Sequence, residues 1–315
     1  MTLVLALVML ALMLPWGAAA ATRRLAVLLP PREACAALTG AAVLLAGGTV
    51  AALVGLFHVP FLASLEQMPL PRMAAEWPAA VPVAAAAGTV LVLQTVLVVR
   101  RWFEHRSLLA HAWASLGDAV PDGDLLVVPG PDPQAFALPG RRGRSGRVVV
   151  TTGMLRALGP AEREVLLGHE RAHLAGRHHL LSATAYLAAA VHPALRTLRP
   201  ALDFHLERWA DEAAASSVGD RRLAATAIAR AALVGASAER AGKSRGPLLS
   251  VSSGPVPQRV EALLQPVPVR PPARRAQAAV AGLVTVVTVA ALLGLVLAYG
   301  LHEYVEFAAE AVRGR

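Results

Sequence analysis

The stretch PAEREVLLGHERAHLAG, Pro160 to Gly176, decides how this chain is read. Pro160 suits the first helical position, where its missing N–H costs nothing, and Glu162 and Glu164 suit the positive end of a helix. Gly176 is a natural stop. A helix is therefore predicted from about 160 to 175. On it His169 and His173 stand four apart and share one face, so both imidazoles can reach a single ion. Glu170, one residue on from the first histidine, lies beside such an ion without occupying a ligand position. There it can take a proton from a metal-bound water. The chain has 10 histidines in 315 residues, and a composition like this produces the pattern by chance about once in seventy chains.

A catalytic zinc takes three protein ligands and keeps one position open. His178 and His179 sit at the wrong spacing for the three-histidine version of the motif. The segment Glu207-Arg208-Trp209-Ala210-Asp211 offers a carboxylate from a second predicted helix, Ala201–Val218. Asp211 falls on the face of Glu207 one turn later, where it can hydrogen-bond the far nitrogen of a ligating histidine and fix its tautomer. Trp209 and the alanine-rich flanks argue against a solvated charged face. The expected set is one zinc per chain on His169, His173 and Glu207, with Glu170 as base and Asp211 behind the ligands. His205 precedes Glu207 by two and points off the metal face; His105, His111 and His192 stay unassigned.

Working outward, the composition excludes an ordinary soluble domain: 56% of residues are hydrophobic, 16% are charged, and the mean hydropathy is +0.52. Crossing a bilayer core takes about 20 apolar residues. Four segments qualify, near 2–21, 36–57, 80–99 and 278–299. The first could instead be a cleaved secretory signal, but Arg23 follows the apolar run rather than preceding it, which favours a retained anchor. Arg23, Arg24 and Arg32 follow segment one, Arg100, Arg101 and Arg106 follow segment three, and Arg270, Arg274 and Arg275 precede segment four. Short Arg-rich loops stay in the cytoplasm. The expectation is a multi-pass protein of a bacterial plasma membrane, with the polar block inside and both termini outside. The net charge of +9 is scattered, with no nucleic-acid reading motif, and suits an anionic inner leaflet instead. Cys35 is the single cysteine, so there is no disulfide framework and no thiolate metal site.

Residues 1–99 are thus read as three transmembrane helices, 100–240 as the metal-binding domain, 241–277 as a linker, 278–299 as the fourth helix and 300–315 as a short external tail. Within the domain, Glu104–Leu116 reads as a helix leaving the membrane. Leu125–Val128, Ala135–Leu138 and Arg147–Thr151 read as a small antiparallel sheet with a basic loop, Gly140–Gly146. Leu180–Val191 is too short to cross and reads as a buried or membrane-grazing helix. A short helix is expected near Gln258–Leu264 inside the linker.

The run HERAHLAGRHHL, His169 to Leu180, with ERWADEAA, Glu207 to Ala214, resembles the BlaR/MecR-type membrane metallopeptidases, in a short form. QAFALPG, Gln134 to Gly140, with VVVTTGML, Val148 to Leu155, is similar also to HtpX and CAAX-protease relatives. The resemblance implies a mainly α fold: four transmembrane helices and a cytoplasmic gluzincin-like zinc peptidase domain between helices three and four. It implies that His169, His173 and Glu207 hold the zinc and that Glu170 is the base. It also makes Ala135, Phe136, Ala137 and Leu138 an edge strand that aligns substrate backbone, as free strand amides can. The relatives closest to HtpX place Arg after the motif Asp, whereas Glu212 stands here, which points to the BlaR-like branch. The implied activity is endopeptidase cleavage of cytoplasmic or juxtamembrane proteins, with a BlaI-like repressor as a candidate partner. The alternatives are HtpX-type quality control of membrane proteins and a non-catalytic membrane transducer. The tail His302–Arg315 is too short to fold alone and lacks a Ser-x-x-Lys acylation motif, so no β-lactam sensing is expected of it.

Overall fold

In the computed structural model the described residues are 2–65, 71, 75, 78–116, 123–141, 143–240 and 255–266, with scattered positions between 278 and 310. Three long helices open the chain: α1 (Thr2–Ala26), α2 (Pro31–Leu65) and α3 (Ala80–Ala114). A small sheet follows, of β1 (Leu125–Val128), β2 (Ala135–Leu138) and β3 (Arg147–Thr151). Then come α4 (Thr152–Ala157), α5 (Pro160–Ala175), α6 (His178–Val191), a 3-10 turn (Pro193–Thr197), α7 (Leu198–Val218), α8 (Arg221–Arg240) and α9 (Val256–Leu264).

Two expectations are corrected. Among the described residues two helices, not four, are long and apolar enough to cross a membrane, namely α2 and α3. The first segment does form α1, with Pro15 inside it, and within 278–299 the described residues include only a shorter apolar helix, Val280–Ala290. The sheet is mixed rather than antiparallel. Its order is β1-β3-β2, with β2 antiparallel and β1 parallel to β3. The β2–β3 hairpin uses one edge of β3, so β1 is left the other edge and meets it in the same direction. β3 is consequently central, and its Val148, Val149 and Val150 are buried, the β-branched run expected of a covered strand.

Each of α2 and α3 is 35 residues long, well beyond the roughly 20 that span a bilayer core. No Pro or Gly interrupts 89–114, so the helix expected at Glu104–Leu116 to leave the membrane is the continuation of α3, which ends at Ala114 and is steadied by the Arg100–Glu104 pair at 3.0 Å. α2 and α3 touch closely where the ring of Phe57 covers Gly88; a Cβ at Gly88 would lie 2.8 Å from it. α6 lies along α3, with Gln94 Nε2 donating to Val191 O at 2.8 Å and Arg101 Nη1 donating to Tyr186 O at 2.9 Å. The first of these satisfies a carbonyl that the end of α6 leaves without a helical partner.

The main core joins the long helices to the rest of the molecule. Leu195, Leu198, Leu202 and Leu206 pack against Ala34, Leu38, Ala41 and Leu45 of α2 and Ala185 and Ala188 of α6. Small alanines on α2 admit the leucines of α7 to close range, and each leucine so buried contributes about 1.5–3 kcal/mol. α1 is attached through His192. Its Nε2 donates to Leu12 O at 3.1 Å while its Nδ1 accepts from Ala194 N at 3.1 Å. Leu202 is 1% exposed and Leu233 on α8 is 66% exposed. Leu202→Ala is expected to cost about 2–5 kcal/mol and Leu233→Ala under about 0.5 kcal/mol. Thermal melts of the purified protein in detergent read the difference; equal melting points would contradict the packing described.

Candidate active site

α5 and α7 carry the functional side chains, and one glycine sets their spacing. A Cβ at Gly168 would lie 2.9 Å from Ser217 Oγ and 3.5 Å from Ala214 Cα. Gly168 and Ala214 therefore let the two helices meet at the point where His169 begins its turn. The result brings three donors together. His173 Nε2 is 3.1 Å from His169 Nε2, and Glu207 Oε2 and Oε1 lie 3.6 and 3.5 Å from His169 Nε2 and His173 Nε2. A set of ligand atoms from these three residues lies within 4.8 Å of one another. Tetrahedral coordination with bonds of about 2.0–2.1 Å separates neighbouring donors by about 3.3–3.4 Å. The observed spacings bracket that value, so the residues fit a zinc-sized ion without rearrangement.

Around these donors runs a second layer of contacts. Asp211 Oδ1 is 3.0 Å from His169 Nδ1, which presents the Nε2 side of that ring to the centre. Arg259 of α9 reaches both acids, with Nε and Nη2 donating to Asp211 at 2.8 and 2.7 Å and Nη1 lying 2.8 Å from Glu207 Oε2. His173 is backed differently: its Nδ1 is 2.8 Å from Nδ1 of His178. The His178 ring lies 4.5 Å from that of Trp209, over which the guanidinium of Arg32 sits at 5.7 Å. Reaching this place requires a sharp corner after α5. Arg177 adopts φ 49, and a Cβ on Gly176 would run into the His178 ring at 2.4 Å.

The electrostatics follow from burial and from these pairs. Burial works against a charged His169, but its contacts with Asp211 and Glu207 prevail and raise its pKa to about 10. Burial, reinforced by the charge on His169, pushes His173 down to about 3. One imidazolium and one neutral ring account for the short contact between the two Nε2 atoms: His169 donates and His173 accepts. His173 then carries its proton on Nδ1 and donates it to His178, which burial keeps neutral by lowering its pKa to about 4. Burial would raise Asp211, but Arg259 and His169 outweigh it and hold the carboxyl at about 2. Glu207 is likewise held below its ordinary range against the effect of burial, by His169 and Arg259. Glu170 goes the other way: burial lifts it to about 7, and the backbone amide of Ala137 bonds its carboxylate.

A cavity of about 370 Å³ opens beside Glu170, His173 and Glu207. β2 forms one wall with Ala135, Phe136 and Ala137. Thr151 N donates to Gln134 O at 2.9 Å, so Gln134 faces β3. By alternation Ala135 and Ala137 turn their backbone groups to the free edge. Glu104, His105, Leu108 and Leu109 of α3 also line it.

The structure thus brings together His169, Glu170, His173, Glu207 and Asp211, and sets Ala135, Phe136 and Ala137 along the cavity, while Leu138 is fully buried under the sheet. His105 lines the cavity; His111, His192 and His205 do not. Sequence reasoning missed Arg259 and His178. A lone Arg in a short segment far along the chain carries no local signal. His178 was set aside because it is misplaced as a ligand, although its place five residues after His173 suits it to stand behind one.

A model of peptidase family M48 matches residues 107–267, just over half of the chain. The chain belongs to peptidase family M48. A protease HtpX homolog of Moorella thermoacetica is 42% identical over 69 residues, 22% of each chain. One of Pelotomaculum thermopropionicum is 41% identical over 66 residues, covering 21% of this chain and 23% of its own. One of Methanocaldococcus jannaschii is 40% identical over 73 residues, covering 23% and 25%. The matched stretch spans a quarter or less of each of these relatives. No solved structure matches. Among the resemblances drawn from the sequence, the M48 match supports the HtpX side and not the BlaR/MecR side. Glu212, taken as a branch marker, has a local task instead. It pairs with Arg221, which also donates to Ala262 O and Leu263 O at 3.0 and 3.1 Å, and so ties α7, α8 and α9 together. The M48 match spans His169, His173 and Glu207, the described residues that could hold a metal ion.

A metal held here would take the Nε2 lone pair of His169 that the proton occupies, so binding would release that proton while Nδ1–H stays on Asp211. The raised pKa favours the proton below about 10, so affinity for the metal is expected to climb about tenfold per pH unit up to that point. At pH 8, loading the metal-free protein with zinc is expected to release at least about one proton per chain, the one on His169, with the bound water adding to it, read with an indicator dye in weak buffer. Absence of any release would contradict the protonation pattern.

Proposed function

We propose that this protein is a zinc-dependent endopeptidase of the membrane that cleaves membrane or juxtamembrane proteins in the manner of HtpX-type quality control. The observation that carries the reading is Glu170. It is buried at the side of a three-donor centre, opens on a cavity with a free strand edge, and is held by the amide of Ala137. A site built only to hold a metal for structure has no use for such a carboxylate. His169, His173 and Glu207 would hold a zinc ion, which when bound would supply an acidified water and a Lewis acid for the carbonyl of the scissile bond. The chain's own residues do the rest. The edge of β2 takes the substrate backbone in extended form. Glu170, whose pKa burial has raised to about 7, accepts a proton from the attacking water and passes it to the leaving amine. Asp211 and His178 hold the two histidine rings in register through their far nitrogens.

Membrane attachment rests on α2 and α3. Arg32 at the start of α2 and Arg100, Arg101 and Arg106 near the end of α3 lie at the ends of those helices that bear the site. Arginines at that boundary favour a cytoplasmic peptidase domain. Cleavage of a BlaI-like repressor rested on the BlaR/MecR resemblance, and no observation supports it.

Glu170→Gln is expected to keep its zinc and lose at least about 10²–10⁴-fold in kcat/KM, while His169→Ala and His173→Ala lose both metal and activity. Glu170 must be ionised to accept the proton, so wild-type activity should fall on the acid side at or below about pH 7, the bound cation moving the limb downward. Zinc content by metal analysis and a pH–rate profile on a casein-type substrate read this; a fully active Glu170→Gln would refute the mechanism. Reporter fusions placed after Gly146 should read as cytoplasmic and those at Glu76 as external, and the reverse pattern would invert the topology.

A further inference from the structure

The cavity beside Glu170 extends away from the metal centre along α7. Glu207, the carboxylate ligand, and Asp211 behind it occupy successive turns of that helix. Asp203 lies one turn earlier on the same face and also lines the cavity. Residues four apart on a helix face sit about 5–6 Å apart at Cβ, so Asp203 is one side-chain length from the reacting bond. The same cavity is lined by the apolar Leu108 and Leu109 of α3, Ala183 of α6 and Leu206 of α7, and by the polar His179 and Ser182 of α6.

Asp203 also differs from the other acids of the site in having no partner. Glu207 and Asp211 each meet a histidine and Arg259, and Glu104, across the cavity, pairs with Arg100 and accepts from Tyr186 Oη at 3.2 Å. Asp203 makes no hydrogen bond or ion pair within contact distance among the described residues. Arg199, one turn before it, is drawn aside onto the face of Tyr186, 4.9 Å from the ring centroid, opposing Arg101 at 4.8 Å. Arg199 offsets only part of the penalty that burial places on the Asp203 carboxylate, which is left with a pKa of about 6. A half-buried acid at the end of an apolar-walled cavity matches the shape of a long basic side chain, whose methylene stem is apolar and whose head is a cation.

We propose that this part of the cavity is a side-chain subsite that takes a lysine or arginine of the substrate next to the scissile bond, with Asp203 as its counter-ion and Glu104 as a second acceptor. The proposal rests on the peptidase reading of the site. It also names the substrates: cytoplasmic segments that adjoin membrane spans are rich in Lys and Arg, and this cavity is walled by the continuation of a membrane helix. Arg199 on Tyr186 then forms the rim that keeps the acid open to an incoming cation.

The test uses the full-length protein, zinc-loaded in detergent, in its Glu170→Gln form so that peptides bind without being cut. Two dye-labelled peptides of the same sequence carry either one central lysine or norleucine, which keeps the stem and removes the charge. The lysine peptide is expected to bind about tenfold to a hundredfold more tightly by fluorescence anisotropy, the range for a charge-assisted hydrogen bond. Adding Asp203→Asn should bring the two affinities to within about threefold of each other, and Glu104→Gln, which alters a more exposed acid, should narrow the gap in part. Equal binding before any substitution, or a preference for lysine that survives Asp203→Asn, overturns the subsite. Should Asp203→Asn fail to fold, a preference unchanged by Glu104→Gln and by raising salt to 1 M overturns it as well. The peptidase reading fails separately: a lysine preference in the Glu170→Gln form, with no cleavage of either peptide by the zinc-loaded wild type, retains the subsite and removes the enzyme.

Discussion

Two carboxylates buried one turn apart on α7 set the terms for everything around them. Glu207 and Asp211 are 4% and 1% exposed, and an isolated buried carboxylate costs several kcal/mol. His169 answers from α5 and Arg259 from α9, so three separate stretches of chain converge on one helix face. The same arrangement that makes the acids tolerable also makes them useful. With Asp211 committed to Arg259 and the far side of His169, the Nε2 face of that ring and the carboxylate of Glu207 are left for a metal.

The geometry of the donor set is therefore a consequence of helix packing rather than of any loop. Gly168 decides how near α7 can come, and the corner at Gly176–Arg177 decides where His178 falls. The leucines that hold α7 against α2 anchor this assembly to the long helices. A change in how α2 and α3 lie would be transmitted to the donor set through packed side chains, since tightly packed interiors deform little.

What was legible in the sequence divides along the range of the interactions. His169, Glu170 and His173 are a helix-period pattern bounded by Pro160 and Gly176, and α5 begins and ends where those residues say it should. Glu207 and Asp211 repeat the period on a second helix. The strand limits 125–128, 135–138 and 147–151 were also local, because Pro and Gly mark them. The direction of β1 was not, since pairing depends on which edge of β3 the hairpin leaves open. Arg259 could not be read at all: its partners lie 48 and 52 residues away, in a segment whose composition suggested a tether. The continuity of α3 past Arg100 was obscured for another reason. A change from apolar to charged residues marks a change of solvent, and it need not mark the end of a helix.

α3 runs without a break from its apolar part into the wall of the cavity, and this makes it a measuring rod. From Arg100, the first charge past the apolar run, to Glu104–Leu109 is about 6–14 Å at 1.5 Å per residue. An extended chain covers that height in roughly two to four residues. On the membrane peptidase reading proposed above, a rigid rod of fixed length would convert position along the chain into height above the bilayer, so a scissile bond would be selected by how far it stands from the lipid as well as by its neighbours. Lengthening the rod by a full helical turn would move the cut outward along the substrate while leaving every chemical group of the centre untouched.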